Sequence, residues 1–232
     1  GDVYKRQIAA GGTVMEDCRV IEAVRDGKYT SVLVSTHDKQ YIEYRTEHFV
    51  NALGSGAGKL CDSMGIDAGL YPVRHQAFIT RRLPMLGKNG ANLDMLIDRQ
   101  DYKGFSAVYG QQIAYTGQII GCASPKLDAM RIDKNLKLNT KAFLEIVSEM
   151  FVEWIPDLAG VGIQAVWAGY YTEPRYIVDP ELGLFVGMRG HGFMLSQYIA
   201  KMYVDKLMGR PVPEYFDKLK LNGPGLSEKA FK

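Results

Sequence analysis

Twice in this chain an apolar run passes through closely spaced glycines into a helical segment. The first passage is Phe49-Val50-Asn51-Ala52-Leu53 into Gly54-Ser55-Gly56-Ala57-Gly58. The second is Leu184-Phe185-Val186-Gly187 into Met188-Arg189-Gly190-His191-Gly192. Both read as strand, glycine turn and helix, which lets bare backbone approach a ligand closely and places the chain in a mixed α/β (α+β) class. After the second turn the apolar pairs Met194/Leu195, Tyr198/Ile199 and Met202/Tyr203 recur every four residues, as on one helix face, and Gly209 stands where that helix should stop.

Between the two turns the sequence is mostly strand-like. Short alternating runs at residues 19–24, 31–36 and 41–44 read as a meander leading into a fourth strand at 48–53. Further β-rich runs at 71–80, 94–98, 105–109 and 112–117 suggest an antiparallel sheet. Asn139 or Thr140 can cap a helix whose apolar residues run from Phe143 to Trp154 until Pro156 stops it. A strand at 162–171 follows, then a loop at 172–180.

With 232 residues the chain is long enough to bury a large core. A net charge of +2 gives no electrostatic reason to expect nucleic acid as a partner. No apolar stretch approaches the roughly 20 residues needed to span a bilayer, so a cytoplasmic location is the default expectation. Cys18, Cys61 and Cys122 lie far apart without metal-ligand spacing, so no metal site is expected. Residues 2–7 resemble translated sequencing adapter, which places the native start upstream; a frayed native terminus is the alternative reading.

The first glycine turn fits neither of two nucleotide fingerprints by spacing. A P-loop needs glycine where Leu53 stands and a hydroxyl where Leu60 stands, while G-x-G-x-x-G needs glycine at Lys59. A tight strand-to-helix turn accounts for the first on steric grounds alone. At the second, Gly187, Gly190 and Gly192 flank His191 before an amphipathic helix, so backbone N–H groups and the positive helix end converge on a site suited to electron-rich oxygen.

Four segments, in order, resemble the D-amino-acid oxidase superfamily of FAD-dependent oxidoreductases, in its branch of sarcosine oxidase β subunit, dimethylglycine dehydrogenase and glycine oxidase. Phe49 through Ala57 is similar to the family's "VVNAAGAWA" strand and turn. Pro72-Val73-Arg74-His75-Gln76-Ala77-Phe78-Ile79-Thr80 is similar to the stretch entering its substrate sheet. Val166-Trp167-Ala168-Gly169-Tyr170-Tyr171-Thr172 resembles its "WAG" strand, and Gly183 through Leu195 its flavin-proximal strand and helix.

The resemblance implies a partial, Rossmann-like FAD-binding domain interleaved with an antiparallel β-rich substrate domain. Its expected divisions are 8–69 for the first part of the FAD-binding domain, 70–160 for the substrate domain, 161–210 for the return and 211–232 for a tail. It implies FAD as cofactor and oxidation of a C–N bond in a small amine or amino acid, alone or among partner subunits or as a homo-oligomer. Ala52, Gly54, Gly187, Gly190, His191, Gly192, Phe193 and Met194 are the cofactor-binding candidates it implies. The family's N-terminal G-x-G-x-x-G is absent, so this chain should lack most adenosine and pyrophosphate contacts and hold FAD poorly by itself. Where relatives continue with Thr-Pro-Asp, this chain has Thr172-Glu173-Pro174-Arg175.

For substrate, Arg189 and Arg175 lead as bidentate carboxylate partners, with Arg74 behind them. Tyr170 and Tyr171 alternate on their strand, so one of them faces a pocket; Tyr170 is the candidate carried forward. His75 and His191 are possible proton relays, of which His75 is placed in the substrate site. A catalytically silent subunit, or a 2-hydroxy acid or glycerol 3-phosphate dehydrogenase on the same scaffold, are the competing readings.

Overall fold

The structure, a computed structural model, describes residues 3–87, 90–101, 103–125 and 140–225. Asn139, one of the two capping candidates, lies outside the described residues. The chain divides into two compact units, one built from Gly1–Leu70 and Arg175–Lys232, the other from Tyr71–Pro174.

The first unit opens with a short helix, α1 (Val3–Ala9), where the sequence shows no pattern. An antiparallel meander follows: β1 (Arg19–Asp26), β2 (Tyr29–Ser35) and β3 (Tyr41–Thr46), in the order β1-β2-β3. Thr30, Val32 and Val34 of β2 alternate inward, the period of a half-buried strand, and the two valines join Ala23 and Leu60 in a small core.

The expected fourth strand at 48–53 does not form as such. Only Asn51 pairs, in a parallel bridge to Leu184 that uses Asn51 N–H to the Gly183 carbonyl (2.8 Å) and Phe185 N–H to the Asn51 carbonyl (3.0 Å). Helix α2 (Ala57–Ser63) then follows directly.

After the second unit the chain returns with a hairpin, β9 (Ile177–Asp179) and β10 (Leu184–Val186), and the long helix α4 (Gly192–Leu207). β9 falls inside the segment expected to be a loop. Ile177 and Val178 are fully buried there and Asp179 is buried too, and three consecutive buried residues cannot lie in a solvated loop. Ile199, Met202 and Tyr203 of α4 pack with Tyr176 and Val178, and with Phe216 and Leu219 from a 3₁₀ segment, Glu214–Leu219. The C-terminal stretch is therefore docked as far as it is described. Gly209 N–H bonds the Lys206 carbonyl (3.1 Å), ending α4 where expected.

The second unit is a five-stranded antiparallel sheet in the order β5-β6-β7-β4-β8, with one helix. Its strands are β4 (Tyr71–Thr80), β5 (Leu96–Asp98), β6 (Phe105–Gln112), β7 (Ile119–Pro125) and β8 (Ile163–Glu173); α3 (Thr140–Trp154) completes it. The run expected as a strand at 112–117 is instead the turn joining β6 to β7, closed by Gly117 N–H to the Ile113 carbonyl (3.0 Å). β8, expected to begin the returning part, pairs with β4 along most of its length, so the crossing back falls after Pro174.

Phe143, Val147, Met150 and Phe151 of α3 bury against Phe78, Phe105, Val108 and Ile119 on one face of the sheet. Phe151 meets Phe78 edge-on at 5.4 Å between ring centres. Full burial of each such side chain contributes about 1.5–3 kcal/mol, which is ample to fix α3 on that face. The sheet's other face has no described element of its own unit packed over it, and Trp167 there remains 41% exposed.

Candidate cofactor and substrate sites

In the first unit, the two glycine turns are tied to each other through Asn51. Its amide donates to the Ala57 carbonyl (3.0 Å) and its Oδ1 accepts from Leu53 N–H (3.3 Å), so one fully buried side chain shapes the turn through Ala52 and Gly54. Gly54 takes φ +55° in open space, a conformation most side chains avoid.

Gly187 also has positive φ (+70°), and for a second reason no other residue fits: a Cβ there would stand 1.8 Å from the Arg175 carbonyl oxygen. The chain then passes Met188 into a left-handed Arg189 (φ +48°) and a 3₁₀ turn, Arg189–His191. His191 caps α4 without any side-chain cap bond. The first-turn N–H groups from Gly192 onward therefore lack a side-chain acceptor at the positive end of a helix dipole, while Phe193 is 98% exposed and Met194 is also exposed. His191 is held from the side, its Nδ1 2.7 Å from the Tyr176 hydroxyl.

The candidate arginines part company here. Arg175 spends Nη1 on the Gly223 carbonyl (2.9 Å) and Nη2 on the Leu221 carbonyl. Its guanidinium is thus committed to the protein's own backbone, and the expected role as substrate carboxylate partner does not suit that geometry. Arg189 is half-buried on the turn before α4. Arg74, in the second unit, is buried, and it stands opposite Tyr170 in the register of β4 and β8.

That register separates the two tyrosines. Tyr170 shares the face of Arg74 and Gln76, whereas Tyr171 lies on the opposite, open face and stacks on His75 at 3.8 Å between ring centres with planes 28° apart. Tyr109 and Cys122, paired across β6 and β7, lie on the same face, since Cys122 also pairs with Ala77. Burial pushes the Tyr109 hydroxyl well above its ordinary range, reinforced by Cys122 and Tyr171 beside it, and burial likewise pushes the Cys122 thiol up. Both stay protonated at neutral pH.

The open face thus offers a run of neutral hydroxyl, imidazole and aromatic groups. Its described strand positions carry no Lys or Arg. The sequence singles out His75 and passes over Tyr109, and which of Tyr170 and Tyr171 shares the face of His75 follows only from the register of β8 against β4. Among the described residues no group of His, Cys, Asp and Glu could hold a metal ion, and no helix is long and apolar enough to cross a membrane.

An uncapped helix start behind a close-packed glycine turn can receive an electron-rich group, and comparison with known proteins indicates which. The chain belongs to the family described as DAO, FAD dependent oxidoreductase, whose model matches residues 3–206. Members depend on FAD, and the residues present fit it: the N–H groups at the start of α4 have no side-chain acceptor, and glycine backbone lies beside them.

L-proline dehydrogenase from P. horikoshii is similar in structure at a TM-score of 0.70 and 23% identity, covering 94% of this chain and 56% of that one. Glycine oxidase from Geobacillus kaustophilus gives 0.66 and 18%, covering 93% and 54%. Glycerol-3-phosphate dehydrogenase from Bacillus halodurans, complexed with FAD, gives 0.62 and 14%, covering 98% and 46%. These likenesses bear on the fold, and the chain spans about half the length of the solved relatives. No curated protein sequence matches it.

Proposed function

We propose that this chain is part of an FAD-dependent oxidoreductase that oxidises the C–N bond of a small amine or amino acid. The observation that carries the reading is the open face of the five-stranded sheet, where His75, Tyr171 and Tyr109 gather without a Lys or Arg strand position. A phosphorylated substrate needs cationic donors, and the described strand positions of this face carry no Lys or Arg. A small amine needs an apolar and aromatic wall with a few neutral hydrogen-bonding groups, which this face does supply.

When bound, FAD supplies the hydride acceptor. The chain's own part is to stabilise and to orient. Backbone N–H groups from Gly190 to Met194, with Ala52, Gly54, Gly187 and His191 around them, would hold the flavin and place the dipole of α4 where negative charge gathers on reduction. Arg189 is the proposed carboxylate partner and Tyr171 the proposed aromatic contact beside His75. Tyr170 and Arg175 are assigned structural positions.

The test uses the protein in its complete reading frame, purified with FAD and titrated anaerobically while the flavin absorbance is followed. Sarcosine, proline, glycine or D-alanine should bleach it. Bleaching by lactate or glycerol 3-phosphate with no response to any amine would overturn the reading, as would a flavin that no substrate reduces because the chain serves only as a silent subunit.

A further inference from the structure

We infer that Arg175 is a positioning residue whose guanidinium latches the C-terminal segment to the backbone that presents the start of α4. The inference rests on the reading above only in taking FAD to bind at that helix start.

Three features converge on Arg175 and its neighbour. The Arg175 side chain donates to the Gly223 and Leu221 carbonyls, two residues apart on the C-terminal segment. Its own carbonyl oxygen stands against Gly187, at the position a Cβ would occupy. The next residue, Tyr176, holds the imidazole of His191 at the cap of α4. This dipeptide therefore reaches the tail with one side chain and the helix start with the other.

Among the described residues, other groups also fasten the tail. Asp179 Oδ2 accepts from Leu221 N–H (3.3 Å), while its Oδ1 accepts from Glu181 and Leu182 N–H (3.1 and 3.2 Å). Lys220 bridges to Glu181 at 2.8 Å. Phe216 and Leu219 bury fully beside Tyr176 and Val178. Displacing the tail therefore removes apolar support from Tyr176 and leaves the guanidinium of Arg175 without its carbonyls. Because Arg175 abuts Gly187 through backbone and not through a flexible side chain, a displacement of Arg175 bears directly on the turn that carries Arg189 and His191.

The experiment takes the FAD-loaded protein in its complete reading frame and compares wild type with Arg175→Met, Arg175→Lys, a chain ended after Lys218, and that shortened chain carrying Arg175→Met. FAD affinity is measured by flavin fluorescence, and release of the tail by tryptic cleavage at Lys218 and Lys220. Arg175→Met is expected to weaken FAD about tenfold, the equivalent of one charge-assisted hydrogen bond. Arg175→Lys should recover most of that loss. The shortened chain, which also loses Leu219, should hold FAD at least as weakly as Arg175→Met, and the combination should be no worse than the shortened chain alone, since the latch is already gone there.

At saturating FAD the KM for amine substrate should stay unchanged. FAD affinity unaltered while the tail is freed would overturn the inference, as would additive losses. A raised KM with FAD affinity intact would show Arg175 to be a substrate ligand instead. If Arg175→Met does not fold, Arg175→Lys and the shortened chain carry the same comparison. A wild-type protein that holds no FAD would overturn this inference together with the reading it rests on, a result distinct from all the others.

Discussion

Replacing Gly187 by alanine should be far more damaging than the same change at Gly54, although the two glycines have nearly the same backbone conformation. Their φ angles are +70° and +55°. Forcing an L-residue into the left-handed region costs about 1–2 kcal/mol, and this applies at both sites. At Gly54 nothing lies within 4 Å of the added Cβ, so the cost ends there.

At Gly187 the Cβ would sit 1.8 Å from the Arg175 carbonyl oxygen and 2.9 Å from its carbon. The strand must retreat by roughly 1.5 Å to restore ordinary contact, and overpacking against backbone adds about 1–3 kcal/mol or more. Gly54→Ala is thus expected to lower the melting temperature by about 2–8 °C and Gly187→Ala by about 4–20 °C, at about 2–4 °C per kcal/mol for a domain of this size.

The assay is thermal unfolding followed by circular dichroism on the FAD-loaded protein in excess FAD, backed by urea titration. Two variants differing by less than about 1 kcal/mol would refute the argument, because the close approach would then carry no energy beyond the shared φ cost.

Two further outcomes follow from the geometry. Tyr171→Ala should lower kcat/KM for the amine substrate about five- to tenfold, the loss of an aromatic contact of roughly 1 kcal/mol, while Tyr170→Phe stays near wild type; steady-state kinetics showing equal losses would contradict the register of β8. Lys201 beside Asp205, with Arg210 at 3.2 Å, holds the Asp205 carboxyl below the usual carboxylate range. A depressed pKa gives stability that is present above the ordinary carboxylate pKa and lost as pH falls through the folded value. Asp205→Asn should therefore melt below wild type at neutral pH, with the gap closing in acid and shrinking in molar salt.

Local chemistry in the sequence marks β4 and both helices that carry apolar periodicity: β4 runs over Tyr71–Thr80, and α3 stops before Pro156 as its composition requires. The readings that failed depended on distant partners. The run 112–117 looks like a strand until Gln118 bonds the Thr80 carbonyl and Gln164, and Ile119 N–H finds the Thr80 hydroxyl, which set the start of β7 from across the sheet. Residues 49–53 are apolar enough for a strand, yet one bridge from Asn51 satisfies that segment's pairing. The choice between Tyr170 and Tyr171 belongs to the register against Val73 and Arg74, which alternation along one strand cannot supply. Arg175 reads as an ion-pairing residue because its acceptors are carbonyls on a remote segment, and a backbone acceptor leaves no trace in side-chain identity.

The bridge from Asn51 to Leu184 also imposes an order on synthesis. Everything the inserted unit needs, from β4 to β8, is complete once Pro174 has left the ribosome, so that sheet can close on its own residues. The segment ending at Leu70 has to wait. Its glycine turn at Gly54 has no bridging strand until β10 arrives, and Tyr176 and Val178 have no full cover until α4, Phe216 and Leu219 follow. Until then the newborn chain exposes the apolar strip around Tyr176 and Val178, which makes this half the one dependent on slow, long-range closure and on protection from aggregation in the interval.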